Sequence, residues 1–491
     1  MDIHDSKDGV AHGFNRPLTS QRKRRLCARA DQLVTEQPAL YLGHYFHAED
    51  DRYMRFLIPE GARVLELGCG VGDQLNSLRP SHGMGVDFSP ATIAEARRKY
   101  PHLDFRVGDI ECPDTLSEIS GPFDYIVISD TIGALDDCQA LFDRLHRLCE
   151  RRTRLVIAYY SHFWDPLLKL AEIIGVKRSQ EPQNRLSTDD IDGLLHLANF
   201  EVIKRDWRQL VPLRLLGLGP IINRYIATLP LIRTACLRNY IVARSINLQR
   251  EGIRSASVII PARNERGNIE PAIQRMPRFC EDMEIIFVEG HSKDGTWEEI
   301  LRVKEKYPDH DIQVMRQDGI GKGNAVFKAF DHARGDVLMI LDADLTVPPE
   351  QLPKFWNVMA SGQAEYVHGS RLVYPMEAEA MRFLNFLANH VFSMLFTWLV
   401  NQRLTDTLCG TKVIRREDYR QLKANQAYFG DFDPFGDFDL IFGASKMNLK
   451  VLEVPIRYVS RTYGQTQISR FRHGWLLLKM VVFAYRKLKA L

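Results

Sequence analysis

Short apolar runs alternate with helix-patterned segments twice along this chain, with one interruption between the two series. The first series reads VLELG (64–68), MGVDF (84–88), LDFRVG (103–108), FDYIVIS (123–129) and RLVIAYY (154–160). Strands this short and apolar, separated by helices, predict a parallel sheet covered on both faces. After an Arg-rich apolar stretch the pattern restarts at SASVIIPARNE (255–265) and runs through MEIIFVEG (283–290), DIQVMRQ (311–317) and DVLMILDAD (336–344), so a second α/β domain is expected there. A length of 491 residues exceeds what one core organises. The halves share no detectable similarity, which makes the chain a fusion and not a repeat. The expected divisions are a basic N-terminal extension (1–39), a first domain (40–205), an apolar linker (206–250), a second domain (251–472) and a basic amphipathic helix (473–491).

Composition narrows the setting. A net charge of +3 is too small for a nucleic-acid footprint, so no nucleic-acid partner is expected. The eight cysteines (27, 69, 112, 138, 149, 236, 280 and 409) show no zinc spacing and are expected to be reduced thiols. The basic cluster Arg22–Arg25 is not followed by the apolar stretch of a signal peptide, which predicts a cytoplasmic location. No segment offers the ~20 apolar residues that a membrane span needs. Three segments nevertheless read as membrane-facing, which predicts peripheral association with the inner face of the cytoplasmic membrane. Residues 207–244 hold no Asp or Glu but carry Arg214, Arg224, Arg233, Arg238 and Arg244 among apolar residues. Residues 383–400 are apolar at helical spacing, and the tail from Trp475 to Leu491 adds Lys479, Arg486, Lys487 and Lys489.

The first strand of the first half ends in Glu66-Leu67-Gly68-Cys69-Gly70-Val71-Gly72, where glycines let the turn approach a ligand closely. Position 73 is Asp, not the third glycine of a dinucleotide fingerprint. Asp87 closes the next strand and can accept both hydroxyls of a ribose. Asp109 ends the third. With these three signals in order, residues 40–205 resemble the class I S-adenosylmethionine-dependent methyltransferases, a Rossmann-like fold. The resemblance implies that Gly68, Gly70 and Gly72 hold the methionine end of S-adenosyl-L-methionine, Asp87 the ribose and Asp109 the adenine, with Glu66 also among the cofactor-binding residues. The methyl acceptor is not revealed; His44, Tyr45, His47, Asp130 and His162 are acceptor-site candidates.

In the second half ILDADLTVPPE places Asp342 and Asp344 at a strand end with one small residue between them. Carboxylates so close share one site, and a divalent cation relieves their repulsion. Such a cation bridges the diphosphate of a sugar nucleotide and neutralises the leaving group. Upstream stand Pro261-Ala262-Arg263-Asn264-Glu265, then Glu289-Gly290, and a GIGKG loop that brings Lys322 toward a phosphate. This half resembles the family 2 glycosyltransferases of GT-A fold, and within them the polyprenyl-phosphate sugar synthases. The resemblance implies that Pro261, Arg263, Glu265 and Glu289 bind the nucleoside, Lys322 and Asp342 the diphosphate, and Asp342 with Asp344 a Mg2+ or Mn2+ ion. It also implies that Arg371 and Arg461 grip the acceptor phosphate. Arg457, Arg470 and Arg472 are further basic groups near the C-terminus.

Two departures stand out: Glu289-Gly290 replaces a pair of adjacent acids, which leaves the nucleotide open between UDP- and GDP-linked sugars, and Thr346 stands where some relatives place a glutamine ligand. In a hydroxyl-transferring enzyme, Asp437 of the GDFDPFGDFDL segment, beside Asp431, Asp433 and Asp439, is a candidate base. The expected partners are therefore a nucleotide sugar, a polyprenyl phosphate lipid and a membrane surface.

Overall fold

The structure is a computed structural model that describes residues 20–35, 44–174, 183–249, 252–374, 383–425, 438–461, 463–464 and 470–491. Two units, each built on its own seven-stranded sheet, divide between Leu248 and Gln249.

In the first unit β1 (Arg63–Leu67), β2 (His82–Asp87), β3 (Asp104–Val107), β4 (Tyr125–Ser129), β5 (Arg154–Tyr160), β6 (Phe200–Arg208) and β7 (Arg238–Ser245) form a sheet of order β3-β2-β1-β4-β5-β7-β6. The first five strands are parallel, and β7 runs antiparallel to both β5 and β6. Leu65, Leu67, Val86, Ile126, Ile128 and Ile157 are buried, as strands covered on both faces require. Strand order reverses between β2 and β4 around β1, which opens a crevice at the carboxyl ends of these strands. Ser89 starts the helix Pro90–Lys99 by accepting from the Thr92 amide at 3.1 Å.

The expected boundary at 205 falls inside β6, and the stretch expected as a linker supplies all of β7. Every residue of β7 is buried. Arg238 there donates to Asp50 at 2.9 Å and also pairs with Asp130; Arg244 pairs with Glu201 at 2.9 Å. Two of the five arginines expected on a membrane-facing stretch are therefore buried in a sheet, because acids distant in sequence neutralise them. The expected N-terminal extension contains a helix, Gln21–Thr35, packed on the helix Pro90–Lys99.

The second sheet joins β8 (Ser255–Ala262), β9 (Asp282–Glu289), β10 (Asp311–Arg316), β11 (Val337–Ile340), β12 (Tyr366–Ser370), β13 (Lys412–Arg415) and β14 (Val451–Pro455) in the order β10-β9-β8-β11-β13-β12-β14. β8 to β11 are parallel, whereas β13 runs antiparallel to β11 and β12. Val258, Ile260, Ile285, Phe287, Val337 and Met339 form the buried centre. The reversal at β8 and β11 again places a crevice at strand ends. The helices Phe383–Val400 and Arg470–Leu488 pack together, with the Trp398 and Tyr485 rings 5.4 Å apart. Val391, Met394, Trp475, Leu478 and Val482 on these helices are exposed. No helix among the described residues is long and apolar enough to cross a membrane.

Because Arg238 is fully buried against Asp50, Arg238→Met leaves that buried carboxylate without its counter-charge. Chemical denaturation of the first unit is expected to show a loss of about 3–5 kcal/mol.

Candidate active sites

The glycine turn after β1 is shaped by three separate demands. Gly68, Gly70 and Gly72 all adopt positive φ. A Cβ on Gly68 would fall 2.0 Å from Thr131 Oγ1, and one on Gly72 would fall 2.5 Å from the Phe105 ring. A Cβ on Gly70 would meet nothing within 4 Å, so that glycine faces open space above β1. Asp87, at the end of β2, accepts from the Gly70 amide at 3.1 Å and the Ser89 amide at 2.9 Å. Burial raises its pKa against these bonds. Glu66 is buried deeper, and its Oε2 has no hydrogen-bond partner. Burial pushes the Glu66 carboxyl well above its ordinary range, and Asp51, Asp87 and Asp50 push the same way.

Asp109 is already engaged. Lys23, from the helix Gln21–Thr35, donates to both its oxygens at 2.8 and 2.6 Å and reaches Glu111 at 2.7 Å. Burial works against the Lys23 charge, but the two carboxylates outweigh it and raise its pKa. The same helix sends Arg22 to the Gly133 carbonyl at 2.7 Å, and its Asp31 accepts from Ser89 Oγ at 2.5 Å. The edge expected to meet adenine is thus covered by the chain's own N-terminal helix. That helix was read as an extension because the acids it pairs with lie some 86 residues away.

The acceptor candidates separate by environment. Asp130, directly after β4, has φ 55° and is held by Arg238, which also donates to Ser129 Oγ at 2.9 Å. Tyr45 is buried and accepts from Asn223 at 3.0 Å. His162 lies 3.3 Å from Asp165 and 3.1 Å from the Leu186 carbonyl, which makes it a loop tie. His44 and His47 are exposed.

In the second unit, Asp342 and Asp344 lie just past β11 and each meets a cation from elsewhere in the chain. Lys322 contacts Asp342 at 2.6 Å, and Arg461 bridges Asp344 at 2.6 Å and Glu265 at 3.0 Å. Burial alone would raise the Asp342 pKa; Lys322, then Lys412 and Arg371, overcome it and hold the carboxyl below its usual range. Glu265 is raised by burial despite Arg461, and it also accepts from Asn268 at 2.7 Å. Asp344 accepts from Thr346 Oγ1 at 2.8 Å, so this threonine orients the aspartate. Glu289 accepts from the Ser292 amide at the end of β9. Pro261 is half-buried at the end of β8, and Arg263 is exposed beside it.

Two arginines differ from expectation. Arg461 was expected on the acceptor phosphate; in the structure it bridges Glu265 and Asp344. Arg371 was expected there too, but its fork is taken by the buried Asp406, through Nε at 2.6 Å and Nη2 at 2.8 Å. Asp406, held also by Asn389 at 3.0 Å, is pushed far below the usual carboxylate range once these partners offset its burial. Sequence reasoning missed Lys412, which is buried on β13 beside Asp342, and Gly410, where a Cβ would fall 1.8 Å from Asp342 Oδ2 and 2.7 Å from Lys322 Nζ. The TLCGTK stretch was the available signal. Arg457 is exposed. Asp431, Asp433, Asp437 and the side chains of Arg470 and Arg472 lie outside the described residues, whereas Asp439 sits in the first turn of the helix Phe438–Lys446.

Comparison with known proteins follows the same division. Residues 41–205 match the family model described as a methyltransferase domain, and residues 257–423 match that of glycosyl transferase family 2. A dolichol-phosphate mannosyltransferase of Pyrococcus furiosus is 29% identical over 237 residues, 48% of this chain and 63% of that protein. An undecaprenyl-phosphate 4-deoxy-4-formamido-L-arabinose transferase of an Enterobacter species is 34% identical over 232 residues, 45% of this chain and 65% of the relative. The chain thus covers less than two thirds of either curated relative. Among solved structures, a magnesium protoporphyrin IX methyltransferase from Synechocystis with bound SAH is 14% identical, with a TM-score of 0.32 over 46% of this chain and 100% of that one. The mannosyltransferase PcManGT from Pyrobaculum calidifontis, in complex with GDP-Man and Mn2+, is 19% identical, with a TM-score of 0.32 over 44% of this chain and 59% of that one. The chain joins a methyltransferase domain to a glycosyltransferase family 2 domain.

Proposed function

We propose that this chain is a bifunctional enzyme: its second unit transfers a sugar, with inversion, from a nucleotide sugar to a polyprenyl phosphate, and its first unit transfers a methyl group from S-adenosylmethionine. The observation that carries the first part is the gathering of Asp342, Asp344, Glu265, Lys322 and Arg461 at the carboxyl ends of β8 and β11. The lipid phosphates in the names of the relatives point to the same acceptor class.

Asp342 and Asp344 would hold Mg2+ or Mn2+. Among the described residues no cluster of three acidic, cysteine or histidine ligands forms, and two carboxylates suit an ion that completes its shell with substrate phosphates and water. When bound, the ion supplies neutralisation of the diphosphate leaving group. Pro261, Arg263, Glu265 and Glu289 line the nucleoside side, and Lys322 exchanges Asp342 for a phosphate oxygen. An acceptor phosphate is already a nucleophile at neutral pH, so the chain has to align it more than activate it. Lys412 and the Nη1 of Arg371, the nitrogen that Asp406 does not engage, give that side of the cleft an electropositive floor. The exposed apolar faces of the helices Phe383–Val400 and Arg470–Leu488 support work at the cytoplasmic membrane surface.

For methyl transfer, the open space at Gly70 receives the methionine end on the turn that ends the Glu66 strand, and Asp87 binds a ribose. Asp109 becomes available to adenine when Lys23 exchanges it for Glu111 alone.

Incubation with a radiolabelled nucleotide sugar, Mn2+ or Mg2+ and a polyprenyl phosphate is expected to move label into the organic phase; label confined to water-soluble product rejects the lipid acceptor. Asp344→Ala is expected to abolish transfer while calorimetric binding of S-adenosylhomocysteine stays unchanged. Gly410→Ala, which drives a methyl group into the Asp342 and Lys322 contact, is expected to cut transfer about 100-fold with the same binding control.

A further inference from the structure

Between β6 and β7 the first unit carries a surface that cofactor chemistry does not use. There the helix Leu218–Ile221 runs on into a wider turn, Ile222–Ile226. Its polarity is inverted. Asn223 is buried, donates to Tyr45 Oη at 3.0 Å and to the Val211 carbonyl at 2.7 Å, and accepts from the Val211 amide at 2.9 Å. Leu218, Ile221 and Ile226 are exposed instead. A helix on a soluble surface normally turns its apolar side inward.

Just before this helix, Leu215 and Leu216 have φ of 42° and 54°, a left-handed backbone that bulky side chains seldom adopt, and Leu216 is fully exposed. Leu231 is 92% exposed. Single exposed leucines are ordinary, but this many within one connection mark a docking surface. Its charge identifies the occupant: from Trp207 to Arg244 there is no acidic residue, and Arg214 and Arg224 are exposed among the leucines.

Topology places this surface at the working edge of the sheet. β5 and β6 both run antiparallel to β7, so the connection leaves β6 at the carboxyl edge, where β1 ends in Gly68 and β4 leads into Asp130. The helix Asp165–Ile173 leaves β5 at that edge with Leu167, Leu170 and Ile173 exposed, and Trp164 Nε1 ties it to the Ala235 carbonyl at 2.8 Å.

We propose that residues 211–231 dock the first unit on an anionic lipid leaflet, and that the methyl acceptor is a membrane-embedded molecule presented to the β4 edge from that leaflet. The second clause rests on the methyltransferase reading above. In that step an acceptor oxygen or nitrogen bonds to the methyl carbon of S-adenosylmethionine as the carbon–sulfur bond breaks. The electron pair goes to sulfur, giving the thioether, and the acceptor proton goes to solvent.

The test is amide hydrogen exchange of the full chain with vesicles of phosphatidylcholine and phosphatidylglycerol, and with phosphatidylcholine alone. Mixed vesicles are expected to slow exchange over 211–231 at least about tenfold. The double variant Leu216→Glu, Leu231→Glu is expected to lose that protection while still binding S-adenosylhomocysteine in calorimetry. Unchanged exchange over 211–231 in vesicle-bound protein, or protection that grows with protein concentration in the absence of lipid, overturns the docking surface; the latter points to a second copy. With docking intact, radiolabelled methyl recovered only in water-soluble product overturns the acceptor class, whereas failure of the wild type to bind S-adenosylhomocysteine overturns the methyltransferase reading and leaves the docking result standing.

Discussion

Asp342 and Asp344 stand with one residue between them at the end of a buried strand, and the second unit is organised around giving each carboxylate a counter-charge. Lys322 and Arg461 supply it. Arg461 lies 117 residues from Asp344 and 196 from Glu265, so the constellation exists only after β8 has taken its place beside β11 and the segment after β14 has folded back. Gly410 completes it by omission, because any side chain there would part Asp342 from Lys322.

The first unit meets a related demand by other means. Asp87 is stabilised by backbone amides, Asp109 by Lys23 and the Asp50–Asp130 pair by Arg238. In both units several groups suited to a ligand are already satisfied by the chain. A ligand there exchanges partners; it does not fill a void, and its affinity is the difference between two sets of charge-assisted bonds. The cost of an unpaired buried charge is what keeps each site assembled before a ligand arrives.

This division explains what could be read from the residues alone. Where the apolar run and the polar residues after it are contiguous, as in VLELGCGVG or MILDAD, strand and candidate site were legible together, and both sheets were recognisable from such runs. Partnerships made across the sheet were not. β7 looked like a basic surface stretch because Asp50, which buries Arg238, lies 188 residues upstream. Arg371 looked free for a phosphate because Asp406, which occupies its fork, sits in another loop. Lys23 belonged to a segment with no apolar pattern, and its contacts with Asp109 and Glu111 give it a place. Charge in a sequence shows that a partner is needed, not whether that partner is solvent, ligand or another side chain.

The same distinction changes the balance of forces in the docking proposed for the connection between β6 and β7. Counted along the sequence, six arginines made electrostatics look dominant, but Arg208, Arg238 and Arg244 are taken up by acids and Arg233 lies over the Trp207 ring, 4.8 Å from its centre. Arg214 and Arg224 are exposed, Arg224 over the Tyr225 ring 5.7 Å from its centre, and a basic residue near an anionic leaflet is worth about 1 kcal/mol. Fully burying one leucine side chain is worth roughly 1.5–3 kcal/mol, and Leu215, Leu216, Leu218 and Leu231 are all exposed. Apolar insertion therefore carries the attachment. The arginines select the leaflet, and the buried Asn223 anchors the helix from behind with Leu218 and Ile221 outward.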